Sequence, residues 1–453
     1  MKVPEIRTIL LTFLFVNITL VIFLKQGPSG DEGIYILSGL ELLNGLPDTY
    51  SSWHNGSPFI WSLFAGWVYS FTSLIGLRIV TVLMGTTILY LIYLYSKKFL
   101  NEKDARLSVL MIALFAPFWT FSQIAVYDVP GLLLFTLAVV LVQKKKIGFI
   151  VLAALFSGLA VLAKYAFIVF FPFLMLFLVL VYERKSLLPL IVLCGVSGSI
   201  VMAHNFLVFN SIIPVSYDSY TVNSVRLGFN SLYSLGISVF ILLPFILSYL
   251  SVRTKIDLPK RWFLLFFGGL LLWPLFHIVT GNPVSAQKHI LFGLVFSAPL
   301  LVFNFKASLA KAKKGTFFAA GFFFFFQYVV IFNSWSDLWK ANEVLSNNIS
   351  EESTIISNVG TYRTRYTLYE KMPGVSSQIR NYHALTESEK QANTPADFLL
   401  WKEVPDTEMQ DWLQNRQSSY KKIESYTDFF IGAEDHLSWG FHTIEISVYQ
   451  KIN

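Results

Sequence analysis

The 453-residue sequence predicts a polytopic α-helical membrane protein of about eleven spans with a small α/β domain outside the membrane. Three observations predict it. Charged residues make up only 14% of the chain and apolar ones 54%, whereas an ordinary soluble domain carries about 25% charged residues. Apolar runs repeatedly approach or pass the roughly 20 residues that cross a bilayer's hydrocarbon core. Charge is also segregated, because residues 336–453 hold 17 acidic and 11 basic side chains while the rest is strongly basic. The 43 Phe, 21 Tyr and 11 Trp exclude intrinsic disorder, and the single cysteine, Cys194, excludes a disulfide scaffold and a zinc ribbon. The basic residues are spread over short loops, so no nucleic-acid patch is implied.

Spans are predicted near 8–24, 77–95, 107–126, 128–143, 147–164, 166–182, 187–209, 233–250, 262–280, 287–304 and 316–332. The first precedes Lys25-Gln26-Gly27-Pro28 without a small-x-small cleavage pattern, and it reads as a retained span rather than a signal peptide. With the N-terminus in the cytoplasm, 19 basic residues before position 336 fall on the inner side and 5 on the outer side or at outer helix ends. That asymmetry sets the orientation. Eleven spans then send the C-terminus out. The chain divides at 335/336, and a first outer loop occupies about 25–76. Residues 58–75 are aromatic and amphipathic. They read as an interfacial helix, since a span there would invert every later loop.

In the tail, Ser353–Val359, Asp397–Trp401 and Thr443–Tyr449 suit strands. Asp406–Asn415 suits a capped helix, with Met409, Trp412 and Leu413 on one face.

The informative residues are ionisable groups on the outer side, where a charge near lipid pairs or serves a site. Asp31 and Glu32 follow the first span. Arg78 lies at the start of the second, and Asp128 sits at the outer turn after the third. Lys164 marks the next outer turn, and Lys288 and His289 open the tenth span. Singly, each reads as a helix-end charge reaching water. As a one-sided set of acids and bases they suit a lipid-linked phosphate: cations hold the phosphate, and a carboxylate deprotonates an acceptor hydroxyl.

These features, in order, resemble the GT-C membrane glycosyltransferases, in particular the protein O-mannosyltransferase and aminoarabinose transferase branch (glycosyltransferase family 39-like). Asp31-Glu32-Gly33-Ile34-Tyr35 looks like that family's acidic first outer loop. Trp53-His54-Asn55-Gly56-Ser57-Pro58 resembles its His/Lys-Pro-Pro segment, Leu77-Arg78-Ile79 the Arg of the next span, and Ala163-Lys164-Tyr165 a Thr-Lys pattern. Many relatives place a Lys before the Pro pair, where this chain has Gly56-Ser57.

The resemblance implies a polyprenyl-phosphate sugar donor and a protein, glycan or lipid acceptor. It implies Asp31 as base, Glu32 in support and Asp128 positioning the acceptor, so that the catalytic set is Asp31, Glu32 and Asp128. Arg78, Lys164 and Lys288 would bind the donor phosphate. His54, His289, Tyr35 and Tyr127 are candidate substrate contacts, whereas His204 and His277 read as structural. A divalent cation bridging Asp31 or Asp128 to phosphate stays open as a cofactor, with no metal-ligand spacing to support it. The competing classes are a lipid-linked-sugar transporter, which predicts midplane charges and inverted halves, and a non-enzymatic membrane protein presenting an outer binding domain.

Overall fold

The computed structural model describes residues 3–24, 27–48, 56–210, 260–280, 286–311, 337–350, 352–358, 378–382, 396–402, 407–432 and 440–452, with scattered positions in 231–242 and 365–390. The described helices are α1 (Ile6–Ile22), α2 (Gly30–Leu43), α3 (Ser62–Ser96), α4 (Glu102–Ala113), α5 (Ala116–Gln123), α6 (Asp128–Val142), α7 (Ile147–Ala163), α8 (Phe171–Tyr182), α9 (Leu187–Phe209), α10 (Lys260–Thr280), α11 (Ala286–Lys311), α12 (Trp339–Asn348) and α13 (Thr407–Gln414). Four helical stretches, Ser62–Ser96, Tyr165–Lys185, Leu187–Phe209 and Lys260–Val279, are long and apolar enough to cross a membrane. α1, α6 and α7 are shorter and equally apolar. The molecule is a helical membrane protein. The spans expected at 233–250 and 316–332, and the boundary at 335/336, lie outside the described residues or among their scattered positions.

Most predicted spans recur as helices with nearby ends. One does not. The run 107–126 is two helices, α4 and α5, bent by 67°. Pro117 is the second residue of α5, and Phe115, which precedes the helix, is extended (ψ 116). A proline offers no amide to the carbonyl of the preceding turn and its ring crowds that turn, so an uninterrupted apolar run still breaks. α3 likewise begins before its predicted span, and its backbone leaves the helix at Ser73 (φ 70, ψ 178). The aromatic stretch expected to lie at the interface is thus the helical segment before that break.

The chain forms two compact units. One comprises Met1–Ile22, His54–Trp61 and Ile75–Tyr328; the other comprises Phe23–Trp53, Ser62–Leu74 and Val329–Asn453. In the first, α6 and α7 are joined by four residues, with Lys145 at φ 54. So short a connection makes them an antiparallel hairpin. The start of α6 therefore meets the end of α7.

In the second unit, α2 crosses the first turns of α3 through glycine. A Cβ on Gly39 would lie 1.9 Å from the Ser62 carbonyl oxygen, and one on Gly66 would meet the Gly39 backbone. The unit also holds a five-stranded sheet: β1 (Ile355–Ser357), β2 (Ile379–Asn381), β3 (Phe398–Lys402), β4 (Tyr420–Gly432) and β5 (Gly440–Lys451), in the order β2-β1-β3-β5-β4. β1 pairs parallel with β2 and β3, and β5 pairs antiparallel with β3 and β4.

Alternation along the strands builds two cores. Ile355, Phe398, Leu400, Ile446 and Val448 pack with Ala341 and Leu345 of α12. On the other face Ile356, Leu399, Trp401 and Tyr449 pack with Trp412 and Leu413 of α13. Trp401 stacks on Trp412, with ring centroids 5.4 Å apart.

Candidate active site

The α6–α7 hairpin decides where the central charges meet. Asp128 is the first residue of α6 and Lys164 caps the end of α7. Both are 2% exposed, and the Lys164 ammonium bonds Asp128 Oδ1. Lys288, near the start of α11, brings its Nζ to 3.9 Å from Asp128 Oδ2 and stays 18% exposed. Oδ2 is buried and accepts no hydrogen bond among the described residues. The Lys164 ammonium also lies 4.7 Å from the ring centroid of Tyr127 and 5.3 Å from that of Phe292. These two aromatic faces stabilise the buried cation further.

His289 extends the cluster. Its Nδ1 lies 2.9 Å from His277 Nε2, and its ring sits 4.1 Å from Trp273. Tyr127, Asp128, Lys164, Lys288 and His289 are therefore brought together. Arg78 is buried on α3, 1% exposed.

The remaining candidates belong to the second unit. At the start of α2, Ser29 accepts from the Glu32 amide, and Glu32 Oε2 accepts from the Ser29 amide at 2.8 Å. This reciprocal cap satisfies two helix-end donors. It also separates the two carboxylates: Glu32 is fully buried and holds the helix end, while Asp31 is partly exposed. Tyr35 is buried one turn on. His54 lies outside the described residues.

A second polar network was not legible in the sequence. His204 Nε2 lies 2.6 Å from Ser57 Oγ, and its Nδ1 lies 3.2 Å from Asn205 Oδ1. The Tyr165 hydroxyl donates to that same Asn205 oxygen at 3.3 Å. Gly56 makes this possible. A Cβ there would lie 2.3 Å from the Ala163 carbonyl oxygen, so only glycine lets the chain settle against the end of α7. The reading of His204 as structural rested on its apolar neighbours, and its partner is 147 residues away. Beside the network is a cavity of about 690 Å³, lined by Val161, Tyr165, Ile168, Met202, Asn205 and Trp273 among others.

Among the described residues no group of three His, Cys, Asp or Glu side chains could hold a metal. Asp128 does not fit a divalent cation either, because both its oxygens face ammonium groups. The cation left open at Asp128 thus finds no donor set there among the described residues.

A buried acid and base thus meet at the ends of packed apolar helices. Residues 58–209, the stretch that carries Arg78, Asp128 and Lys164, match the family model described as dolichyl-phosphate-mannose-protein mannosyltransferase. No curated protein matches the chain. Among solved structures, arabinofuranosyltransferase AftD from Mycobacteria superposes with a TM-score of 0.51 at 13% identity, covering 99% of this chain and 42% of that one. ArnT from Cupriavidus metallidurans bound to undecaprenyl phosphate gives 0.43 at 10% identity, over 98% and 97%. The apo oligosaccharyltransferase of Archaeoglobus fulgidus gives 0.45 at 10% identity, over 98% and 76%. The family match and the AftD fold agree with the resemblance read from the sequence: the chain resembles the GT-C membrane glycosyltransferases.

Proposed function

We propose that the chain is an inverting glycosyltransferase of eleven spans, with its N-terminus in the cytoplasm and its sheet domain outside. It moves one sugar from a polyprenyl-phosphate donor to a hydroxyl or phosphate of a protein, glycan or lipid acceptor at the outer face. The observation that carries this reading is the buried Asp128 between Lys164 and Lys288, the first two lying in the stretch that matches the mannosyltransferase model. Two ammonium groups at the ends of apolar helices suit a phosphate whose tail is apolar.

Asp31, the more exposed acid of its pair, takes the proton from the acceptor hydroxyl. That oxygen attacks the anomeric carbon as the bond to phosphate oxygen breaks. The electron pair leaves on polyprenyl phosphate, whose charge Arg78, Lys164 and Lys288 stabilise, so no separate general acid is required. Asp128 Oδ2, which accepts no hydrogen bond from the described residues, orients the acceptor.

The test is Asp31→Asn in purified protein reconstituted in nanodiscs, assayed for mannose transfer from polyprenyl-phosphate mannose. Loss of a positioned base lowers the rate by about 10²- to 10⁴-fold. Undiminished transfer removes Asp31 from the chemistry.

A further inference from the structure

The ionic cluster accounts for a phosphate and leaves the second polar network without a task. Ser57 and Asn205 are 3% and 1% exposed, and with His204 and Tyr165 they offer two hydroxyls, an imidazole and an amide. The network is built rather than incidental: the Ser57 amide donates to the Leu162 carbonyl, and its hydroxyl accepts from the Phe59 amide at 3.2 Å while meeting His204. Two of its members, Tyr165 and Asn205, line the cavity, whose other walls are mainly apolar. Lys164 immediately precedes Tyr165, so the ionic cluster and the second network diverge from adjacent residues. Trp273 touches both surroundings, lining the cavity and packing against the His289 ring with the two planes 35° apart. Its indole nitrogen is buried without a hydrogen-bond partner among the described residues.

From this arrangement we infer that Ser57, Tyr165, His204 and Asn205 form the subsite for the neutral sugar of the lipid-linked donor. The assignment rests on the glycosyltransferase reading and names the part of the donor that each site takes. Cations gather where the phosphate sits. Hydroxyl, imidazole and amide groups in one network suit vicinal hydroxyls, each of which gives one hydrogen bond and accepts another. The Trp273 indole supplies an apolar face and a free N–H between the two sites, which suits a pyranose ring.

Binding of two probes to the full chain in nanodiscs, measured by native mass spectrometry, tests the assignment: undecaprenyl phosphate, and undecaprenyl phosphate carrying mannose. The wild type holds the mannosyl lipid more tightly. His204→Gln and, as a milder change, Tyr165→Phe each weaken the mannosyl lipid by about 3- to 10-fold, the worth of one hydrogen bond, and leave the bare lipid within twofold. Equal weakening of both lipids shows that the network only fastens α9 to residues 56–60 and overturns the assignment. So does unchanged binding of both. If the wild type takes neither lipid, the glycosyltransferase reading itself falls, and the subsite with it.

Discussion

Replacing Asp128 by Asn takes the carboxylate from a buried ammonium, because Lys164 is 2% exposed and pairs with Asp128. Removing one member of a buried pair destabilises by about 3–5 kcal/mol, mostly the desolvation of the charge left behind. Lys288 acts differently. At 3.9 Å from Oδ2, its attraction is about 4 kcal/mol at an effective dielectric near 20. It is 18% exposed, however, and its stem lets the ammonium reach water, so the net effect of losing it falls to about 1 kcal/mol.

The reasoning therefore ranks three variants. Asp128→Asn and Lys164→Met each destabilise strongly, and Lys288→Met only weakly. The double variant Asp128→Asn with Lys164→Met recovers more than half of the single loss, since no buried charge remains unpaired. Denaturation of the full chain in detergent, followed by tryptophan fluorescence, supplies the four corners of the cycle. A Lys288→Met loss as large as that of Lys164→Met, or additive losses in the double variant, refutes the account.

Ser73 occupies a backbone region that is essentially glycine's, a strain of about 1–3 kcal/mol. Ser73→Gly relieves it and is offset by about 0.5–1 kcal/mol of added chain entropy; a raised melting temperature is expected, and a lowered one contradicts the strain. In the sheet domain, the hydrogen bond from Lys422 holds the Glu445 carboxyl below its ordinary value. A depressed folded pKa adds stability above the unfolded value of about 4.3, and that stability is lost as pH falls through the folded pKa. Glu445→Gln should therefore speed amide exchange along β4 and β5 at pH 7 by a small factor, an exposed pair contributing about 0.2–1 kcal/mol, and should leave it unchanged at pH 2. An equal effect at both values removes the ionic explanation.

The sequence revealed what composition and spacing encode. α9 was legible to the residue, because charged residues precede an apolar run that ends before Asn210, which caps it in the left-handed region (φ 51). The bend between α4 and α5 was hidden, since hydropathy counts Pro117 as one more residue of a run. β4 escaped because its first residues, Tyr420, Lys421, Lys422 and Ile423, do not alternate, and a bulge between Lys422 and Glu424 shifts its register. At the site, Asp128 and Lys164 stood out as charges at helix ends, but their pairing follows from the hairpin. The meeting of His204 with Ser57 follows from a backbone approach that only Gly56 permits. Residue type is local information; which distant residues touch is decided by packing.

Within the cluster of Asp128, Lys164 and Lys288 one carboxylate stands between two ammonium groups, a surplus of one positive charge. On the proposed reading a phosphodiester donor brings the one negative charge that balances these three side chains. The monoester left after transfer carries about 1.5 to 2, and Arg78 is then the further cation that takes up the excess.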